Sequence, residues 1–380
     1  MTTRNLKCGV GGVVFALAAC CLLGRAQQQT PAPAATGQGA QQEKLVDEAR
    51  KNIQVLKGLP DSRLLPVMQL VASSLGVQCG FCHVREGNEW QFDRDDKQEK
   101  KTARKMIQMV IDINKASFNG RTDVTCYSCH RGHEQPVAMI PLPVQPPRPE
   151  APAAKPGEAA PKPPTPAEVV DKYLQAIGGK AAADKLTSRV MKGSYIAFGR
   201  TMPLEVYQKG ADKMLAIIEN PQQGTTHQGL DGETGWIKTR AEQRDMNSVE
   251  LARIKSVATF YDAIKVNQPP SKIAPAGKAK IGDQEVIVLR MPLSPDRSQR
   301  MYFDTQTGLL LRVVVLTQTP IGRVPEQYDF EDYRDVDGVK MPFTIQYATV
   351  DGRAAATRKF TEIKHNVAID DEKFKKPAAQ

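Results

Sequence analysis

The sequence predicts a multidomain chain: a mainly α N-terminal module, a Pro-rich linker, and an α+β domain in which a meandering antiparallel sheet packs on helices. Three observations predict it. Eleven prolines fall between Pro141 and Pro166, a polyproline-type spacer of roughly 26 residues that at ~3.1 Å each could hold two domains up to ~80 Å apart. Before it, apolar residues recur at helical spacing. After it, short β-branched and aromatic runs alternate with tight-turn signals.

The elements follow in chain order. Arg4 and Lys7 precede an apolar run from Val10 to Leu23 and the small-x-small site Gly24-Arg-Ala26, so residues 1–26 are expected to be an export signal. Leu17-Ala-Ala-Cys20 also matches a lipobox, which would anchor the chain through a lipidated Cys20; either route leads to the periplasm. Residues 27–42 read as a disordered tether of Pro, Ala, Gly and Gln. The module itself is expected over 43–140. There "EKLVDEARKNIQVLKGLP" places Val46, Ala49, Ile53 and Leu56 at helical spacing. A second helix, "DSRLLPVMQLVASSLG", is expected to be capped by Asp61 or Ser62 and to end at Gly76, and a third runs from Asp95 to Lys115. The linker covers 141–166 and the β-rich domain 167–377. In that domain "AEVVDKYLQAIGG" and "VELARIKSVATFYDAI" read as amphipathic helices. Nine runs, among them "VMKGSYIAF", "LLLRVVVLTQT" and "MPFTIQYATV", read as strands. Asp231 to Gly235, Asp304 to Gly308 and Asp337-Gly338 are hairpin turns.

The chain of 380 residues has a formal charge of +10, which falls to +7 when Arg4, Lys7 and Arg25 leave with the leader. Lys and Arg alternate with Asp and Glu, without interleaved aromatics, so nucleic acid is not an expected partner. Of seven cysteines, Cys8, Cys20 and Cys21 lie in the leader, and the other four sit in two copies of one motif. None is left over for a disulfide, although an exported chain would form them readily.

Those copies are Cys79-Gly-Phe-Cys82-His83 and Cys126-Tyr-Ser-Cys129-His130. In Cys-x-x-Cys-His two thiols add to the two vinyl groups of one haem while the adjacent histidine ligates its iron. Cys79, Cys82, Cys126 and Cys129 are thus the expected attachment residues for two c-type haems, with His83 and His130 as iron ligands. The alternative, a zinc site built from the four thiolates, would leave both histidines redundant. The sixth ligand decides the chemistry: Met or His makes an electron carrier, an open position a catalyst. Met68 lies on a helix ending just before the first motif, and Met106 and Met109 on one ending before the second. Either of the latter could serve. His133, His227 and His365 are expected to be surface or turn residues, and Trp236 to be packing.

"VMQLVASSLGVQCGFCH" and "ARKMIQMVIDIN" followed by "VTCYSCHRG" resemble the cytochrome c subunit of photosynthetic reaction centres. That family carries haems in helix–loop–Cys-x-x-Cys-His units with Met as sixth ligand, and re-reduces the photo-oxidised pigment pair. The resemblance covers Pro60 to Pro136 and places Met68 and Met106 at the axial positions, leaving Met109 to the core. Family members typically carry four motifs where this chain has two, and their histidine between helix and second motif has no counterpart in "KASFNGRTD". Past the linker, "MYFDTQTGLLLR" and "YRDVDGVKMPFTI" resemble the curved antiparallel sheet of outer-membrane lipoprotein-sorting proteins, which can hold acyl chains.

These readings imply an exported dihaem cytochrome that is an electron carrier rather than an enzyme. Its partners would be redox proteins, a membrane-bound electron-transfer complex among them. Two alternatives stay open: a dihaem peroxidase-like oxidoreductase, and a protein that binds a lipid or another apolar ligand in its sheet domain.

Overall fold

Backbone hydrogen bonding divides the chain into a helical part and a single large sheet. The computed structural model describes residues 43–138, 163–258, 272–352 and 355–378. The expected signal, tether and Cys20 anchor lie outside the described residues, as do most of the linker and the end of the second amphipathic helix.

The helical part comprises α1 (Val46–Ala49), α2 (Leu64–Leu75), α3 (Cys79–Cys82), a small hairpin of β1 (Val84–Glu86) and β2 (Glu89–Gln91), α4 (Gln98–Ser117) and α5 (Cys126–His130). α1 is a single turn, not the longer helix that Val46, Ala49, Ile53 and Leu56 suggest. The chain leaves helical geometry because Leu45 bridges Pro60, Val46 N–H donates to the Leu59 carbonyl at 2.8 Å, and Asn52 and Leu56 take positive φ. The apolar side chains of the segment reach the core all the same.

α2 is not capped by Asp61 or Ser62, as the sequence suggests. Those residues form a 3-10 turn, Asp61–Arg63, leading into the helix. The Asp61 carboxylate is taken by Arg50 at 2.6 Å, and the Ser62 hydroxyl faces Ser248 at 3.1 Å. The other end matches expectation, since Gly76 closes α2 in the left-handed conformation (φ 69°).

α6 (Pro166–Ala176) starts at Thr165, whose hydroxyl accepts from Glu168 N–H while the Glu168 carboxylate accepts from Thr165 N–H. A short α7 (Lys180–Ala183) leads into the sheet. Its strands are β3 (Ser188–Ala197), β4 (Arg200–Lys209), β5 (Lys213–Asn220), β6 (Gly224–Asp231), β7 (Thr234–Lys238), β8 (Gln243–Asp245), β9 (Ala274–Ile281), β10 (Gln284–Ser294), β11 (Arg297–Asp304), β12 (Leu310–Thr319), β13 (Gly322–Val336), β14 (Val339–Thr349) and β15 (Ala356–His365), with α8 (Ser248–Ala258) between β8 and β9. All pairings are antiparallel, in the order β8-β7-β6-β5-β4-β3-β15-β14-β13-β12-β11-β10-β9. The one pairing of strands distant in sequence is β3 with β15, which seals two meanders into one sheet. Register shifts in β10, β11 and β15 mark bulges, which help a sheet of this width to curve.

One face of the sheet carries both helices. α6 contributes Val169, Tyr173 and Leu174 against Leu289, Met301, Phe303 and Val313. Val313 stands opposite Tyr328 and Tyr328 opposite Tyr347. The same face therefore continues to Phe343, Leu204, Val206 and Met214, under Ile254 of α8. On the opposite face, Trp236 is buried and its indole N–H donates to the Phe374 carbonyl at 2.8 Å, which confirms Trp236 as packing.

From Glu43 on, the chain forms one compact unit. The helical part docks on one rim of the sheet, through Arg63 with Asp296, Gln318 with Thr122, and Ser73 with the Val350 carbonyl.

Candidate functional site

Each Cys-x-x-Cys-His motif folds as one helical turn. His83 N–H donates to the Cys79 carbonyl at 2.9 Å, so the turn of α3 carries both thiols and ends on the histidine. α5 is entered through Thr125, whose N–H donates to the Ser128 hydroxyl at 3.0 Å. None of the four cysteines is paired in a disulfide. Burial pushes the Cys82 thiol up, with the nearby Glu99 carboxylate adding to it, and burial likewise raises Cys126.

The second turn is tied to the end of α2, the helix that leads into the first. Gly132 N–H, two residues past His130, donates to the Ser74 carbonyl at 2.9 Å, five residues before Cys79. A Cβ on Gly76 would lie 2.1 Å from the Gly132 carbonyl oxygen, so only glycine fits this crossing.

The histidines are oriented differently. His130 Nδ1 lies 3.0 Å from the His133 carbonyl. A carbonyl only accepts, so Nδ1 holds the proton and Nε2 keeps its lone pair for a metal. His133 therefore acts through its backbone while its ring is exposed. His83 is half-buried, stands edge-on to Phe92 at 5.1 Å, and its buried Nδ1 meets no hydrogen-bond partner. Burial, followed by the charge of Lys100, pulls its pKa below the ordinary value, which favours the neutral imidazole a metal requires.

Two polar residues that sequence reasoning missed fix the loops around the motifs. Lys100 is buried on α4, where its ammonium donates to the Phe92 carbonyl at 2.8 Å and the Arg94 carbonyl at 2.6 Å and pairs with Asp95 at 2.9 Å. Arg104 pairs with Asp95 at 2.7 Å. Arg104 first, then Asn52 and Lys100, hold the Asp95 carboxyl well below the usual carboxylate range. Buried Asn114 grips Val124, its amide donating to the Val124 carbonyl at 2.7 Å and its oxygen accepting from Val124 N–H at 3.0 Å. The signal was present in spacing alone: Lys100, Ile107, Val110 and Asn114 make the buried stripe of α4.

The candidate methionines lie on the expected helices. Met68 is half-buried on α2 among Val71 and Leu75. Met106 is 42% and Met109 45% exposed, so Met109 does not pack in the core as expected. The reason is a one-residue offset: Met106, Met109 and Ile113 form a second apolar stripe about 100° around α4 from the buried one. Helix packing does not pair one helix with one motif, since α2 lies on α5 and α4 touches both α3 and α5.

A covalently held haem asks for paired free thiols, an imidazole with an open nitrogen, and uncovered apolar surface to meet the macrocycle. The residues present fit. Among the described residues most of the large apolar side chains left exposed, Leu65, Trp90, Phe92, Met106, Met109 and Tyr127, lie in the helical part, although the most exposed, Phe198, is at the β3–β4 turn of the sheet. The thiols do not converge on a shared metal instead, since among the described residues no three His, Cys, Asp or Glu side chains form one group.

The remaining histidines differ from expectation in one respect. His227 and His365 are strand residues, on β6 and at the end of β15, rather than turn residues. The His365 side chain is 1% exposed, 3.7 Å from the Asp337 carboxylate, and its pKa is lowered by burial and then by Arg189. Under α8 lies a cavity of about 190 Å3, lined in part by Tyr195, Met214, Tyr328, Ile345 and Tyr347.

Among solved structures, an outer membrane lipoprotein-sorting protein domain from Vibrio parahaemolyticus covers 55% of this chain and 94% of its own, at 12% identity and a TM-score of 0.40. A LolA superfamily protein from Nitrosomonas europaea covers 56% and 99%, at 12% identity and a TM-score of 0.39. The photosynthetic reaction center cytochrome c subunit of Roseobacter denitrificans is 34% identical over 101 residues, 25% of this chain and 27% of that protein. That of Thermochromatium tepidum is 34% identical over 113 residues, 29% and 26%. The chain thus spans about a quarter of the length of these curated relatives. The model of the photosynthetic reaction centre cytochrome c subunit family matches residues 7–173, and it is this family that the part of the chain bearing both Cys-x-x-Cys-His turns resembles.

Proposed function

We propose that the protein is an exported dihaem c-type cytochrome that carries single electrons to and from a redox partner. The observation that carries this reading is the presence of two Cys-x-x-Cys-His turns, α3 and α5, in one helical part, the second tied to the end of α2 by the Gly132 to Ser74 hydrogen bond. When bound, two haems supply one-electron couples. The chain's own residues do the rest: Cys79, Cys82, Cys126 and Cys129 hold the groups covalently, and His83 and His130 present one nitrogen each. Met68 and Met106, taken from the family resemblance, would each supply the remaining iron ligand and so keep water and substrates off the metal. A closed sixth position makes this a carrier rather than a peroxidase-like oxidoreductase. The partner is a redox protein, and a membrane-bound complex like those served by reaction-centre cytochromes is the first to test. The periplasm is the compartment we assign, on the leader sequence.

The alternative of an apolar ligand rests on the cavity under α8, because a second cleft of about 440 Å3 along β9, β10 and β11 is lined by Lys278, Arg290 and Arg300 and does not suit an apolar ligand. At about 190 Å3 the cavity under α8 is smaller than the ~300–1,000 Å3 of small-molecule sites, so the carrier reading stands first.

Intact mass of the mature protein, with its reduced and oxidised optical spectra, tests the proposal. Two added haem masses and a methionine–iron charge-transfer band are expected. One haem or none, or a high-spin iron spectrum, would overturn it.

A further inference from the structure

A hairpin tip ordinarily faces solvent, yet Ile321, at the tip joining β12 to β13, is 0% exposed. It lies in one apolar core with Val67 of α2, Ile107 and Val110 of α4, and Cys126 of the second motif. The tip is pinned for the purpose. The Thr319 hydroxyl donates to the Gly322 carbonyl at 2.7 Å, and Gly322 takes a φ of 148°. A Cβ at Gly322 would stand 3.1 Å from Cγ2 of Thr125 and 3.4 Å from Cδ2 of Leu70. Thr125 is the residue from which the second motif starts, and Leu70 lies on the helix that carries Met68. One turn of the sheet thus meets the second motif and α2 together. Beside it, the Gln318 amide donates to the Thr122 hydroxyl at 2.7 Å, on the loop leading to Thr125.

We propose that the sheet is a working part of the haem-holding module, with Ile321 as the positioning residue that closes the apolar core behind Cys126. This rests on the carrier reading and deepens it, because it gives the sheet a task in electron transfer that needs no ligand of its own. Ile321 acts through Cys126 and Thr125. A ferric haem carries one more positive charge than a ferrous one, so a dry wall beside its attachment residue favours the reduced form. Opening that wall to water lowers the potential.

The test uses the full-length, haem-loaded protein. In potentiometric titration Ile321→Ala is expected to lower one of the two midpoint potentials and leave the other in place, and Ile321→Val to restore most of the shift. Hydrogen exchange over residues 122–130 should quicken at least tenfold in Ile321→Ala, while β10 and β11 exchange at the parent rate. Unchanged potentials with unchanged exchange over 122–130 would overturn the proposal, as would equal shifts of both haems. If Ile321→Ala does not fold, Gln318→Ala, which removes the bond to Thr122 together with those to the Thr319 carbonyl and the Arg323 guanidinium, is read in the same way. Exchange needs no haem, so it decides the role of Ile321 even if the mass shows the carrier reading to be wrong.

Discussion

His130 is oriented by a main-chain atom, the His133 carbonyl, and no reading of side-chain types could have shown it. The candidate attachment residues were legible because two thiols and an imidazole must occur at one fixed spacing to serve one haem. Residues that act by position were not. Lys100 and Asn114 are polar in type yet buried, because each meets backbone groups that loops leave unpaired. His365 reads as a turn or surface residue yet ends β15, because strand ends are hard to fix from sequence. The methionines are where the residue scale decides function. Met106 and Met109 are almost equally exposed, so the family resemblance alone selects Met106. Met68→Ala and Met106→Ala should each open one haem to carbon monoxide, seen as a change in the reduced spectrum, whereas Met109→Ala should not. A carbon monoxide adduct in Met109→Ala and none in Met106→Ala would transfer the ligand role to Met109.

At the scale of elements, α4 shows what periodicity reveals and what it merges. Its helical character was plain, but its apolar residues make two stripes, and only the one continued by Lys100 and Asn114 faces the core. β6, with the sequence GTTHQGLD, and β9, with APAGKAKI, were missed for a related reason. Each carries few β-branched or aromatic residues, and neighbouring strands rather than propensity impose the extended form. The three predicted hairpin turns are present, and Asp337 and Gly338, both at positive φ, make the two-residue turn between β13 and β14. The joint between α4 and the second motif gives the prediction at this scale. Asn114→Ala strands the N–H and the carbonyl of Val124 in a part-buried loop, which costs about 1–3 kcal/mol per unsatisfied buried group. Urea unfolding should show a loss of at least 1 kcal/mol on this scale, and exchange at 122–126 should quicken. Unchanged stability would mean that the loop finds other partners.

At the scale of the whole molecule, the sheet depends on one seam, the pairing of β3 with β15, because every other strand pairs with a neighbour in sequence. His365 stands at that seam, directly opposite Arg189. Its side chain is almost fully enclosed, with the Asp337 carboxylate 3.7 Å away and the Val336 backbone as its polar neighbours. Burial and the Arg189 charge keep it neutral, while Asp337 opposes them from a more exposed position. Its folded pKa thus lies below the ~6.5 of an unfolded chain. As the pH falls through that value the unfolded state takes up a proton that the folded state refuses, so stability is full above the unfolded pKa and declines below it. The decline approaches at most ~1.4 kcal/mol per pH unit for this one group and stops below the folded pKa. His227 is also shifted down, by burial and Lys238, and adds a slope of the same sign. His365→Leu should therefore flatten, though not abolish, the fall in urea-unfolding free energy between about pH 7 and pH 5, and His227→Gln should act in the same direction. A His365→Leu variant that loses stability toward acid as steeply as the parent would show that protonation at the seam does not govern the acid response of the sheet.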